Sequence, residues 1–212
     1  MLAVAHRAGN DLEVLHQAAA LGADVIEADV HLHRGRLEVR HEKSMGPLPW
    51  LWDKWQVFPA DKERLLLDEL MDELPAGTTV MLDLKGVGRV GPHALELLRR
   101  RSVEHPLWVC ARWWPSSLAF GDVPWAMVLL SARGRTEIAR LRRHLDAGSA
   151  PYGVSVHLSM LSPDLVSEIQ SYGTKVLSWP VDDEVALSRA RALGIDGAIT
   201  KDLGIVKELA HR

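Results

Sequence analysis

Eight short β-type runs recur along the chain, separated for the most part by amphipathic, helix-like segments. The runs are Leu2 to His6, Val25 to His31, Thr79 to Lys85, Leu107 to Arg112, Ala126 to Ser131, Gly153 to Leu158, Lys175 to Val181 and Gly197 to Thr200. This alternation marks βα units and a parallel sheet. Eight of them predict an α/β fold of the closed (β/α)8 TIM-barrel type, as one domain over residues 1–212. The chain is shorter than the roughly 250 residues usual for such a barrel, so its loops must be lean. A doubly wound open sheet is the competing architecture, and the number of runs favours closure. A hydrophobic content of 47% suffices for a substantial core.

Helix ends can be placed by their chemistry. Asn10 is the expected N-cap for Asp11 to Leu21, with Gly22 as its stop; Pro163 to Tyr172 begins with Pro after Ser and ends at Gly173. Residues 182–193 place acids in the first turn and Arg near the end, as the helix dipole prefers, before Gly194. Residues 42–64 break the rhythm. There Pro47, Pro49 and Pro59 argue against regular structure, and Trp50, Trp52 and Trp55 cluster, as an insertion at the barrel mouth could.

The second and third runs carry charge where a buried strand should not. Ile26, Ala28, Val30 and Leu32 share one face; Glu27, Asp29, His31 and His33 share the other. Thr79 to Lys85 repeats the pattern, with Val80, Leu82 and Leu84 opposed to Met81, Asp83 and Lys85. In a barrel the apolar face meets the helices and the charged face points inward, where an unpaired carboxylate is costly. Glu27, Asp29, Asp83 and Lys85 are thus expected to converge near the C-terminal strand ends, where barrel active sites lie. Such a group of carboxylate oxygens suits a hard divalent ion, Mg²⁺ or Ca²⁺. His6 ends the first run beside Arg7, and His41 ends LEVRH; two imidazoles across a phosphate can serve as base and acid. His31 and His33 are expected to face solvent past the strand end.

Composition narrows the partners. A net charge of −3 and a pI near 6.4 argue against a nucleic-acid partner. The lone Cys110 excludes an intramolecular disulfide framework and suits a reducing compartment. Met1 runs into LAVAH without a basic n-region, and no stretch approaches the roughly 18 apolar residues of a membrane span. The expectation is a cytoplasmic protein without stable membrane insertion, in which any anionic small-molecule substrate is met by local charge. Oligomeric state is not indicated.

Taken together, these residues resemble the glycerophosphodiester phosphodiesterase family. Its opening His-Arg-Gly is matched by His6-Arg7-Ala8, and its Glu-x-Asp followed by His-Asp is matched by Glu27-Ala28-Asp29 and His41-Glu42. Asp83-Leu84-Lys85 stands for Glu-x-Lys. Trp179-Pro180-Val181 and Gly197-Ala198-Ile199-Thr200-Lys201 stand for the late Trp-Thr-Val and Gly-Ile-Ile-Thr-Asp motifs. The resemblance implies a small-molecule phosphodiester substrate, acid–base catalysis by His6 and His41, metal ligation by Glu27, Asp29 and Asp83, phosphate binding by Arg7 and Lys85, and a substrate contact by Trp179.

The departures are specific. Gly9-Asn10-Asp11 falls on the family's Glu-Asn-Thr, so Asn10 is kept and the glutamate is lost. The aspartate at 83 is the version of the related sphingomyelinase D-like phospholipases. Two rival functions follow: a lysophospholipid or sphingolipid phospholipase with Trp50, Trp52 and Trp55 receiving an acyl chain, and a non-catalytic barrel that binds a phosphorylated ligand.

Overall fold

The computed structural model describes residues 1–45, 48–53, 55–59, 64–101 and 105–211; Pro47 lies outside the described residues. The first strand, β1 (Leu2–Ala5), is followed by α1 (Leu12–Ala20) and β2 (Val25–His33). β3 (Arg36–Val39) folds back antiparallel on β2, and β4 (Lys43–Ser44), β5 (Trp50–Asp53) and β6 (Gln56–Pro59) form a separate three-stranded antiparallel sheet. After α2 (Leu67–Glu73) the strict alternation resumes: β7 (Thr79–Lys85), α3 (Val90–Arg101), β8 (Leu107–Ala111), α4 (Trp114–Leu118), β9 (Ala126–Ala132), α5 (Arg135–Asp146) and β10 (Gly153–His157). The chain ends with α6 (Pro163–Ser171), β11 (Lys175–Trp179), α7 (Glu184–Ala192), β12 (Gly197–Thr200) and α8 (Leu203–Ala210).

Eight of these strands, β1, β2 and β7 to β12, pair in parallel, and β1 contacts both β12 and β2. That double pairing closes the barrel and rules out the open sheet. The strand faces divide as the alternation predicts. Ile26, Ala28, Val30, Val80, Leu82 and Leu84 pack outward against helix residues such as Leu15, Ala18 and Leu98. Inside, Val4, Val25, Met81, Trp108, Cys110, Leu129, Leu177 and Ile199 fill the lower barrel. Each such burial stabilises the fold by about 1.5–3 kcal/mol before entropy is counted. Beside these apolar residues the inward positions of β2 and β7 become acidic, Glu27 in register with Met81 and Asp83 with Cys110.

Two local expectations need correction. Asp11, not Asn10, caps α1, accepting from the backbone N–H groups of Glu13 (2.9 Å) and Val14 (3.2 Å). The segment around Pro49 and Pro59 is regular after all, because prolines are tolerated at the ends and edges of strands, and Pro59 closes edge strand β6 opposite Trp50. Ser162 caps α6 as expected, accepting from Leu165 N–H at 3.2 Å, whereas α7 starts at Glu184 rather than 182, with Asp183 as its cap accepting from Ala186 N–H at 2.8 Å.

Candidate active site

β2 and β7 lie in register with Asp29 opposite Asp83 and His31 opposite Lys85, so period-two alternation delivers their charged side chains to one side. Oxygens of Glu27, Asp29 and Asp83 approach within 4.8 Å of one another. Asp29 is wholly buried and Glu27 2% exposed. Burial, reinforced by the neighbouring carboxylates, pushes Glu27 well above the usual range, and burial also raises Asp83. Burial alone would raise Asp29 too; Lys85, with Arg7 and Asn10, overrides it and holds that group low.

Cations and amides frame the acids. Lys85 Nζ lies 2.7 Å from Asp29 Oδ1 and also pairs with Asp83. Arg7 Nε is 3.3 Å from Asp29 Oδ2, and the Arg7 backbone N–H donates to Glu27 Oε2 at 2.5 Å. Arg7 achieves this in a left-handed conformation, φ 60°, which costs a non-glycine residue on the order of 1–2 kcal/mol and is typical of functional loops. Asn10 grips Asp29 from both sides: its amide donates to Oδ2 at 2.9 Å, and its carbonyl oxygen accepts from Asp29 N–H at 2.8 Å. That is its work in place of capping α1. The family's glutamate has no room here. A Cβ on Gly9 would come 2.7 Å from the Ala28 Cβ, so the first loop packs flat on β2 and leaves Asn10 as its contribution to the site.

Both histidines reach the same cavity. His6, Arg7, Glu27, His41, Asp83, Lys85 and Trp179 all line a space of about 610 Å³ at the C-terminal ends of the strands. His6 Nε2 lies 4.0 Å from Glu27 Oε2; burial first, and Arg7 second, bring its pKa down to about 3, so the ring is neutral at pH 7. His41 is lowered by burial and Arg7, against which Asp29 and Asp53 act. Trp179 stands edge-on to His157, centroids 5.0 Å apart.

Three placements go beyond the sequence reading. Asp53 of β5 brings Oδ2 to 2.9 Å from His41 Nδ1, which no spacing in the sequence announces. Arg40, buried, donates to Glu38 at 2.7 Å and to Ser44 Oγ at 2.9 Å, clamping the segment on either side of His41. His31 does not extend into solvent: β2 continues through His33, and His31 is buried against the cavity with a pKa lowered by burial to about 3. By contrast Trp50, Trp52 and Trp55 do not line the cavity; Trp55 is 99% exposed and Trp52 lies 4.8 Å beneath the Lys43 ammonium.

No protein-family model and no curated protein matches the chain. Solved structures do. A phosphodiesterase from Oleispira antarctica, in complex with the product sn-glycerol-3-phosphate, superposes with a TM-score of 0.77 at 19% identity, covering 100% of this chain and 97% of that one. The glycerophosphodiester phosphodiesterase of Thermotoga maritima gives 0.76 at 17% identity, over 99% and 98% of the two chains. One from Parabacteroides distasonis gives 0.73 at 19% identity, over 99% and 96%. This chain has their barrel fold.

Proposed function

We propose that the protein is a phosphodiesterase that cleaves glycerophosphodiesters to an alcohol and glycerol phosphate. The observation that carries the reading is one cavity lined by His6, His41, Glu27, Asp83 and the cations Arg7 and Lys85, with the buried Asp29 clustered against both acids. The donor set fits a hard divalent ion: all its ligand atoms are carboxylate oxygens, and Glu27, raised first by burial and then by repulsion from Asp29 and Asp83, is a group whose ionised form a cation would favour. Glu27, Asp29 and Asp83 would hold Mg²⁺ or Ca²⁺, whose charge neutralises a phosphate oxygen and lowers the pKa of a nearby hydroxyl.

The chain's own groups supply the rest. Arg7 and Lys85 bind the non-bridging oxygens and stabilise the charge that gathers on them in the transition state. His6, held neutral by burial, is suited to take the proton of the attacking oxygen. His41, lowered by burial and Arg7 with Asp29 and Asp53 acting against them, would give a proton to the leaving alcohol, its Nδ1 held against Asp53. Asn10 fixes Asp29, and Trp179 forms a wall for the substrate.

An acyl-chain pocket built from Trp50, Trp52 and Trp55 finds no support in the cavity's walls. A purely binding barrel has little use for two histidines beside three acids. Time-resolved phosphorus NMR with glycerophosphocholine and a lysophosphatidylcholine, with and without Mg²⁺ or Ca²⁺, tests the reading. Ion-dependent release of glycerol phosphate is expected. Cleavage of the lysolipid alone, or of neither, overturns it.

A further inference from the structure

The cavity carries more positive charge than one phosphodiester needs. Arg7 and Lys85 face Asp29 and Asp83, but Lys43, Arg112 and Arg133 also line the same space. Lys43 and Arg133 have no carboxylate partner among the described residues. Arg112 and Arg133 follow the ends of neighbouring strands β8 and β9, and one carboxylate organises both. Glu137 Oε1 accepts from Arg112 Nε at 2.7 Å, while its Oε2 accepts from the backbone N–H groups of Arg133 (2.6 Å) and Gly134 (3.1 Å). Held by Nε alone, the Arg112 guanidinium keeps both terminal nitrogens available for an anion.

The barrel register sets where that anion would lie. Leu84 pairs with Ala111, and Ala111 with Leu130, so Arg112 comes up at the level of Lys85 one strand away, and Arg133 emerges one strand further on. Strands are about 4.8 Å apart. The second cationic group is therefore displaced sideways from the phosphate-binding pair by roughly one to two strand spacings, a few bonds along a substrate. Arginine forks suit phosphate oxygens.

We propose that Arg112 and Arg133 form a second anion subsite, and that the preferred substrate is a glycerophosphodiester whose leaving alcohol itself bears a phosphomonoester. This rests on the phosphodiesterase reading and narrows it. Zwitterionic choline esters place a cation against this rim and are the poorer substrates.

The test compares kcat/KM for glycerophosphoinositol 4-phosphate and glycerophosphocholine in the wild type and in the R112Q/R133Q double variant. The wild type should favour the phosphorylated ester at least tenfold, and the double variant should erase most of that ratio through KM. Equal kcat/KM values in the wild type, or equal losses on both substrates in the variant, overturn the subsite. Calorimetry with glycerol 1,3-bisphosphate and sn-glycerol 3-phosphate separates this from the parent reading. Tighter bisphosphate binding that depends on both arginines, in a protein that cleaves no ester, would uphold the subsite while the phosphodiesterase reading fell. Cleavage without any bisphosphate preference would do the reverse.

Discussion

His41 Nδ1 sits 2.9 Å from Oδ2 of Asp53, a residue of the tryptophan-bearing sheet rather than of the barrel. A carboxylate at that nitrogen favours the Nδ1–H tautomer and leaves Nε2 for the substrate. On the proposed mechanism the small sheet would thereby take a part in catalysis through Asp53. Replacing Asp53 with Asn should lower kcat by roughly ten- to a hundredfold with KM nearly unchanged, in line with other groups that orient a functional side chain. It should also lower the pKa read from the limb of the pH–rate profile that reports His41. Equal changes in kcat and KM, with the profile unmoved, would reduce Asp53 to a structural contact.

Two groups that act in one transition state fail together. His6→Ala and His41→Ala should each reduce turnover by about 10²- to 10⁴-fold, and the double variant should cost little more. Rate measurements on the three variants check this. Multiplying losses would mean that the two rings act in separate steps.

Ion binding should expel a proton. Burial keeps Glu27 protonated above the usual carboxylate range, and a ligating carboxylate must be ionised. Calorimetric titrations with Mg²⁺ or Ca²⁺ in buffers of different ionisation enthalpy should therefore show proton release and an affinity that rises with pH. Saturation at a hundred times Kd should stabilise the fold by about 2.7 kcal/mol. Glu27→Gln should bind more weakly and release no proton from this position; an unchanged proton count would place the ligand set elsewhere.

Acid should weaken the fold through its buried imidazoles. Burial takes His6 from 6.5 to about 3, so below pH 6.5 the unfolded ring binds a proton that the folded ring refuses. Stability is then complete above pH 6.5 and falls as pH drops, by up to about 2 kcal/mol at pH 5 for one such ring. Glu27 and Asp83, raised by burial, act in the opposite sense, so the contrast must be taken against a variant. Urea midpoints in the presence of a chelator should shift less between pH 7.5 and 5 in His6→Asn than in the wild type. The same holds for His31→Asn, whose ring is lowered by burial in the same way. Parallel shifts in variant and wild type would show that these rings protonate freely.

Gly9→Ala should destabilise the protein by about 1–3 kcal/mol, the usual cost of overpacking, since the new methyl meets Ala28 Cβ at 2.7 Å. Because the displaced loop carries Asn10, ion affinity should fall with it. Thermal melts and ion titrations read the two effects.

The sequence by itself determined the barrel and the acidic centre. Strand alternation is local: a residue's face follows from its parity, so Glu27, Asp29, Asp83 and Lys85 could be sent inward before any contact was known. His6 and Arg7 followed because they come directly after β1, whose C-terminal end lies on the shared rim, whereas His41 was singled out by its motif, since β3 runs antiparallel and ends at Val39. Tertiary structure decided what parity cannot reach. Asp53 meets His41 only because β4 to β6 fold as a sheet beside the mouth, and their prolines argued against regular structure there. Asn10 left its expected cap for Asp29 because Gly9 lets the loop lie on β2. His31 is buried because β2 runs on through His33, and Glu137 orders Arg112 and Arg133 only because β8 and β9 are neighbours. Each of these depends on where separate elements come to rest, a relation that hydrophobic pattern and residue spacing along one strand do not encode.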